Sequence, residues 1–227
     1  MTRNINEDFS IDKELIRRKY NESARTYALF EPIQELLGVG RLRRKLLRDA
    51  YGKVLEVAVG TGVNLPHYPK GCDITAVDYS ESMLDIARQR AKRIGCKVDL
   101  ALMDAAELKY PDQSFDTVVS TMTLCTFTDP VTVLHEMMRI CKTDGLILLL
   151  EHGRSSWGWY AGRQDRKVHE HARRLGCVWN RNHFDLVEKA GLEIVLRERY
   201  VFGMLYLIKA RPGALRLKLP ANVGKTT

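Results

Sequence analysis

The sequence predicts an open α/β fold, a parallel sheet with helices on both faces. Three observations carry this. Short apolar runs alternate with stretches of helical period from about residue 54 to residue 208. The first run, KVLEV, ends in a turn containing Gly60 and Gly62. The second, CDITAVD, closes on Asp78 about twenty residues later, the spacing at which an acid meets the hydroxyls of a ribose.

Each element follows in order. Residues 1–10 are expected to be disordered. Residues 11–37 read as helical with a break near Glu31-Pro32, Pro32 sitting at a helix start, where its missing N–H costs nothing. Tyr20 and Tyr27 stand seven apart, on one helical face if the helix is unbroken. They either pack this segment onto the sheet or line a pocket. Residues 41–49 form an amphipathic helix, with Leu42, Leu46 and Leu47 as its apolar side and the arginines as its wet side. Val54, Leu55 and Val57 make the first strand. Pro66 and Pro69 limit the crossover that follows to a short helix or loop.

Residues 73–77 are the second strand. Ser80 caps the next helix, whose buried face is Met83, Leu84, Ala87 and Ala91, and Gly95 ends it. Residues 97–103 are the third strand, with Asp104 at its end. Residues 115–120 are the fourth, followed by Thr121-Met-Thr-Leu-Cys125. Asp129-Pro130 opens a helix presenting Val133, Leu134, Met137 and Met138. Residues 145–150 form a continuous apolar fifth strand, as expected where both faces are covered. Glu151-His152-Gly153 ends it. Residues 154–180 interrupt the repeat and hold all three tryptophans, Trp157, Trp159 and Trp179. A helix over 182–190 and two strands, 192–199 and 201–210, complete the domain.

The glycine turn points to a nucleotide-type ligand. Glycine leaves no Cβ between backbone and ligand, and helix-start N–H groups attract negative charge. A dinucleotide site wants G-x-G-x-x-G, but Ala58, Gly60 and Val63 stand where its glycines start. Glu56-x-Ala58-x-Gly60-Thr61-Gly62 instead resembles the first motif of the class I S-adenosylmethionine-dependent methyltransferases, usually E/D-x-G-x-G-x-G, with Ala58 replacing the first glycine. An alanine there is tolerated if the backbone is ordinary β. The stretches EVAVGTGVNLPHYPKGC, STMTLCTF, EHG and LGCVWNR resemble more narrowly the thiol S-methyltransferases, overlapping the phospholipid and quinone methyltransferases.

The resemblance implies a Rossmann-like seven-stranded methyltransferase sheet, mostly parallel, with a C-terminal antiparallel hairpin. It divides the chain into an N-terminal helical lid (1–51), a methyltransferase domain (52–210) and a basic flexible tail (211–227). The cofactor it implies is S-adenosyl-L-methionine. The expected cofactor-binding residues are Glu56, Ala58, Gly60, Thr61, Gly62, Asp78, Tyr79, Met83, Asp104, Ala105, Thr121 and Met122. Asp78 takes the ribose, and Asp104 takes the adenine amino group or caps the short turn after it. Tyr20, Tyr27, Thr123, Cys125, Trp157 and Trp159 are expected around the acceptor. His152, at a strand end on the ligand face, is the candidate that takes or orients the acceptor's proton. The Y-D-x-x-A-x-x-Y-D-like segment of related enzymes is matched at Tyr20, Ala24 and Tyr27 without its acids.

Composition bounds the rest. The 227 residues can bury a real core, and no run approaches the roughly 18 apolar residues of a membrane span. The N-terminus lacks the apolar core of a secretory signal. Five widely spaced cysteines without a C-x-x-C pair suggest reduced thiols in a cytoplasmic protein and no metal site. The net charge of +8 concentrates at residues 41–45, 163–174 and 209–225. It suits a solvated surface, an anionic membrane met peripherally, or RNA, although no RNA-binding motif accompanies it.

The expected function is methyl transfer to a small or lipid-like thiol, amine or hydroxyl by a monomer or homodimer. The alternatives are an RNA methyltransferase and a silent cofactor-binding scaffold in an RNA–protein assembly.

Overall fold

The computed structural model describes residues 12–213. The expectations for residues 1–10, and for the basic tail beyond residue 213, lie outside the described residues. Among the described residues seven strands form one sheet: β1 (Lys53–Val57), β2 (Asp73–Asp78), β3 (Asp99–Leu102), β4 (Phe115–Thr121), β5 (Cys141–His152), β6 (Glu193–Tyr200) and β7 (Leu205–Arg211). Their order is β3-β2-β1-β4-β5-β7-β6. The first five run parallel, and β7 lies antiparallel to both β5 and β6. The expected sheet and C-terminal hairpin are therefore present. Successive strands step outward from β1 in one direction and from β4 in the other, so the strand ends part between them. Such a switch point opens a crevice beyond the carboxyl ends of the strands.

Strand periodicity builds two cores. Alternate residues point to opposite faces. Leu55, Ile147 and Leu149 face one side, with Leu134, Met137 and Met138 of α4 (Pro130–Ile140). Val54, Leu148 and Leu150 face the other, against Leu42, Leu46 and Leu47 of α2 (Gly40–Leu47). All twelve are buried. α3 (Glu81–Ile94) begins where the Ser80 hydroxyl accepts from the Met83 N–H, and Gly95 ends it in the left-handed conformation.

Three sequence expectations need correction. The N-terminal helix α1 (Lys13–Gln34) runs through Pro32 instead of breaking before it. The chain turns later, at Gly38, whose φ of +110° suits glycine alone. Arg43 does not lie on the wet side of α2. It is buried, because the face set by Leu42, Leu46 and Leu47 also contains position 43. β3 is shorter than expected, pairing with β2 only from Asp99 to Leu102.

The insertion after β5 folds as α5 (Gly158–Leu175), and α6 (His183–Lys189) follows it. Among the described residues no helix is long and apolar enough to cross a membrane.

Candidate functional site

One cleft lies beyond the ends of β1 to β4, with α1 across it. Its floor is the turn after β1. The Val59 N–H donates to Val77 O at 2.9 Å, and the Gly60 N–H donates to Asp78 Oδ2 at 2.8 Å. Asp78 Oδ1 accepts from the Ser80 N–H at 2.9 Å. One carboxylate thus fixes both the glycine turn and the start of α3. Burial raises the Asp78 pKa, with backbone donors opposing the shift.

The two turn glycines do different work. A Cβ on Gly60 would meet nothing within 4 Å, so this residue leaves its space to the cleft. A Cβ on Gly62 would lie 2.9 Å from Leu65 Cδ1 and 3.2 Å from Ala87 Cβ. Gly62, expected to bind cofactor, does not line the cleft; it lets α3 approach the turn.

Ala58 also departs from expectation. Its φ is +54°, left-handed rather than ordinary β. Met122, at φ +60°, is a second non-glycine residue in this region, and both line the cleft. Strain of this kind gathers at functional sites, where the surroundings enforce it. Restoring glycine in Ala58→Gly is expected to relieve about 1 kcal/mol and raise the melting temperature by roughly 2–4 °C. A melt showing no gain would mean that alanine is unstrained there.

Asp104 lines the same cleft as Asp78. Its Oδ1 accepts from the Ala106 N–H at 2.9 Å, the cap of the following turn. Its Oδ2 accepts from Lys13 Nζ of α1 at 2.6 Å. Thr61, Tyr79, Met83, Ala105, Thr121, Met122 and Thr123 also line the cleft, as do Tyr20 and Tyr27. The two tyrosine rings meet edge to face, 6.3 Å apart. Burial raises both phenol pKa values, that of Tyr27 to about 12, so both remain protonated donors.

Other candidates fall elsewhere. Glu56 sits beneath the turn, outside the lining, and accepts from Asn64 Nδ2 at 2.7 Å and the Tyr68 hydroxyl at 2.8 Å. Burial pushes its pKa up to about 7. Trp157 and Trp159 are 50% and 67% exposed and away from the cleft, Trp157 stacking on Phe202. His152 and Cys125 are also outside the lining. β5 lies one strand beyond β4, so its end misses the crevice. The His152 Nε2 instead sits 3.1 Å from Cys125 Sγ and 3.4 Å from Cys177 Sγ. A hydrogen bond from the Cys177 thiol leads the effects that pull Cys125 well below the usual thiol range. The charge of Cys125 raises His152 to about 9.

Two cleft residues were missed in sequence. Arg43 Nη1 donates to Asn64 Oδ1 at 2.8 Å and to Thr121 Oγ1 at 2.7 Å, and Nε donates to Glu35 Oε1 at 3.1 Å. Its place in the apolar period of α2 was the available signal. Glu31, buried on α1, accepts from Thr61 Oγ1 and Arg90 Nη2, holding α1 to the turn and to α3. No local pattern marks it.

The cleft thus combines a side-chain-free bend, two carboxylates at adjacent strand ends and a buried guanidinium. These fit an adenosyl group that also carries a carboxylate. Residues 55–149 match the methyltransferase-domain family. This part of the chain is a methyltransferase domain, shared with proteins named as methyltransferases.

Among these methyltransferases, the mitochondrial methyltransferase OMS1 of Saccharomyces cerevisiae is 30% identical over 85% of this chain and 45% of its own length. A phosphatidylethanolamine N-methyltransferase of Cereibacter sphaeroides is 40% identical over 44% of this chain and 51% of its own. Relatives named as thiol S-methyltransferases and demethylmenaquinone methyltransferases match as well. The chain spans about half the length of the curated relatives it matches. A solved S-adenosylmethionine-dependent methyltransferase of Thermotoga maritima shares the fold, with a TM-score of 0.65, 22% identity, and coverage of 87% of this chain and 99% of that one.

Proposed function

We propose that this methyltransferase binds S-adenosyl-L-methionine in the cleft and methylates a lipid-like acceptor met at an anionic membrane surface. The observation that carries the cofactor assignment is that Asp78 and Asp104 share one cleft with Gly60. Asp78 accepts from the ribose hydroxyls, Asp104 accepts from the adenine amino group once Lys13 yields, and Arg43 faces the carboxylate of the methionyl end. The cofactor, when bound, supplies an electrophilic methyl carbon on a sulfonium. The protein's part is to hold the acceptor in line and exclude water. Tyr20 and Tyr27, protonated, orient an acceptor by donating hydrogen bonds. An amine acceptor enters as the free base and passes its proton to water after transfer.

The exposed surface beside the cleft supports this acceptor class. Leu29, Phe30, Ile33, Leu36 and Leu37 are 54–88% exposed where α1 ends. Arg41, Arg44 and Arg48 are exposed on the adjoining α2. Apolar side chains beside arginines suit the boundary of an acidic bilayer. Labelled-methyl transfer will be measured on phosphatidylethanolamine, a quinol, an aliphatic thiol and RNA, with lipids in vesicles of neutral or acidic composition.

Transfer to a vesicle-borne acceptor, with flotation on acidic vesicles, is expected. Changing Leu36 and Leu37 to glutamate is expected to cut both by roughly tenfold. Turnover on the soluble thiol alone would replace the lipid acceptor, and turnover on RNA would favour the RNA enzyme. Cofactor binding without any transfer would leave the scaffold reading.

A further inference from the structure

Two thiols and one imidazole, 27 and 25 residues apart along the chain, meet behind the wall of the cleft. Cys125 lies on the loop between β4 and α4, His152 closes β5, and Cys177 lies between α5 and α6. The two sulfurs stand 3.1 and 3.4 Å from the imidazole Nε2, and the three atoms lie within 4.8 Å of one another. Both thiols are buried. Tetrahedral zinc, with bonds of about 2.3 Å to sulfur and about 2.0 Å to nitrogen, sets neighbouring donors roughly 3.5–3.8 Å apart. Lengthening the two sulfur–nitrogen separations by about half an ångström or less brings them to that spacing.

The donors are held from behind. The Val178 N–H donates to Cys125 O at 2.8 Å, joining the two cysteine-bearing loops. Glu151 accepts from the Thr123 and Leu124 N–H groups at 2.9 and 3.1 Å. His183 Nε2 lies 2.9 Å from His152 O, and Arg181 Nη1 donates to Leu124 O. Supports of this kind fix the geometry of metal ligands. The charges also close. Two thiolates balance a divalent cation around a neutral imidazole, and burial pushes the Glu151 carboxyl up to about 8, so it adds little negative charge beside them at neutral pH.

We propose that Cys125, His152 and Cys177 bind one soft divalent cation of the zinc type, with water as fourth ligand. The ion fastens the β4–α4 loop to the end of β5 and to the α5–α6 connection. It thereby positions Met122 and Thr123, which line the cleft. The sequence hides the site because the ligands come from two different loops and a strand end.

The test uses the full chain, reduced and stripped of metal by a chelator, then titrated with Co²⁺. A thiolate-to-cobalt charge-transfer band and tetrahedral visible bands are expected, saturating at about one equivalent and displaced by Zn²⁺. Cys125→Ser and Cys177→Ser should each weaken binding by roughly 100-fold and reduce the charge-transfer band, whereas Cys72→Ser and Cys96→Ser should change neither.

A reduced wild-type protein that gives no thiolate band overturns the proposal, whether or not any variant folds. So does a band unchanged in Cys177→Ser. Calorimetry with S-adenosylhomocysteine is the separate readout. Binding of that ligand with no cobalt band sinks the metal site alone, and a cobalt band without that binding sinks the cofactor assignment alone.

Discussion

Asp78→Ala is expected to weaken S-adenosylmethionine binding by roughly 100-fold, measured by calorimetry. The carboxylate has two tasks. Its oxygens already accept from the Gly60 and Ser80 N–H groups, so it shapes the bend at the floor of the cleft. Each oxygen keeps a further lone pair for a ribose hydroxyl. A hydrogen bond to a charged group contributes about 1.5–3 kcal/mol, so two of them account for the loss even if water recovers part of it. Asp78→Asn separates the tasks. It keeps one acceptor for the turn and loses the charge, so it should fall between the wild type and alanine. Unchanged affinity in Asp78→Ala would remove the ribose assignment.

Gly62→Ala is expected to leave cofactor contacts alone and to destabilise the fold by about 2–3 kcal/mol. Two costs add. An alanine at φ +76° bears the left-handed penalty, and its methyl lies too close to Ala87 and Leu65. The melting temperature should fall by roughly 5–10 °C, while the affinity of the surviving folded protein stays within about twofold. A large affinity loss at unchanged stability would return Gly62 to the cofactor site.

Much of the fold is legible in the residues. The runs KVLEV, DITAVD and GLILLL read as strands, since they are too short for lone helices. Ser80, Gly95 and Asp129 mark helix ends by local chemistry that tertiary contacts do not override. The acids at 78 and 104 are legible for the same reason. They close the parallel strands β2 and β3, whose ends border the cleft.

The failures also share a cause. Glu31, His152 and Trp157 sit where the local pattern leaves the direction of a side chain open. Arg43 lies within the apolar period of α2, and the missing information was its partners, Glu35, Asn64 and Thr121. Trp157 resembles a pocket wall until α5 carries it to the surface.

By itself, then, the sequence determined where most strands and helices fall, the bend at Gly60 and the acids that close the second and third strands. Each follows from neighbours along the chain, through backbone conformation and the two-residue period of a strand. Only the tertiary structure decided that Gly62 packs a helix and that Cys125, His152 and Cys177 converge. Those meetings join loops separated by tens of residues, and no local periodicity encodes which loop ends come within bonding distance.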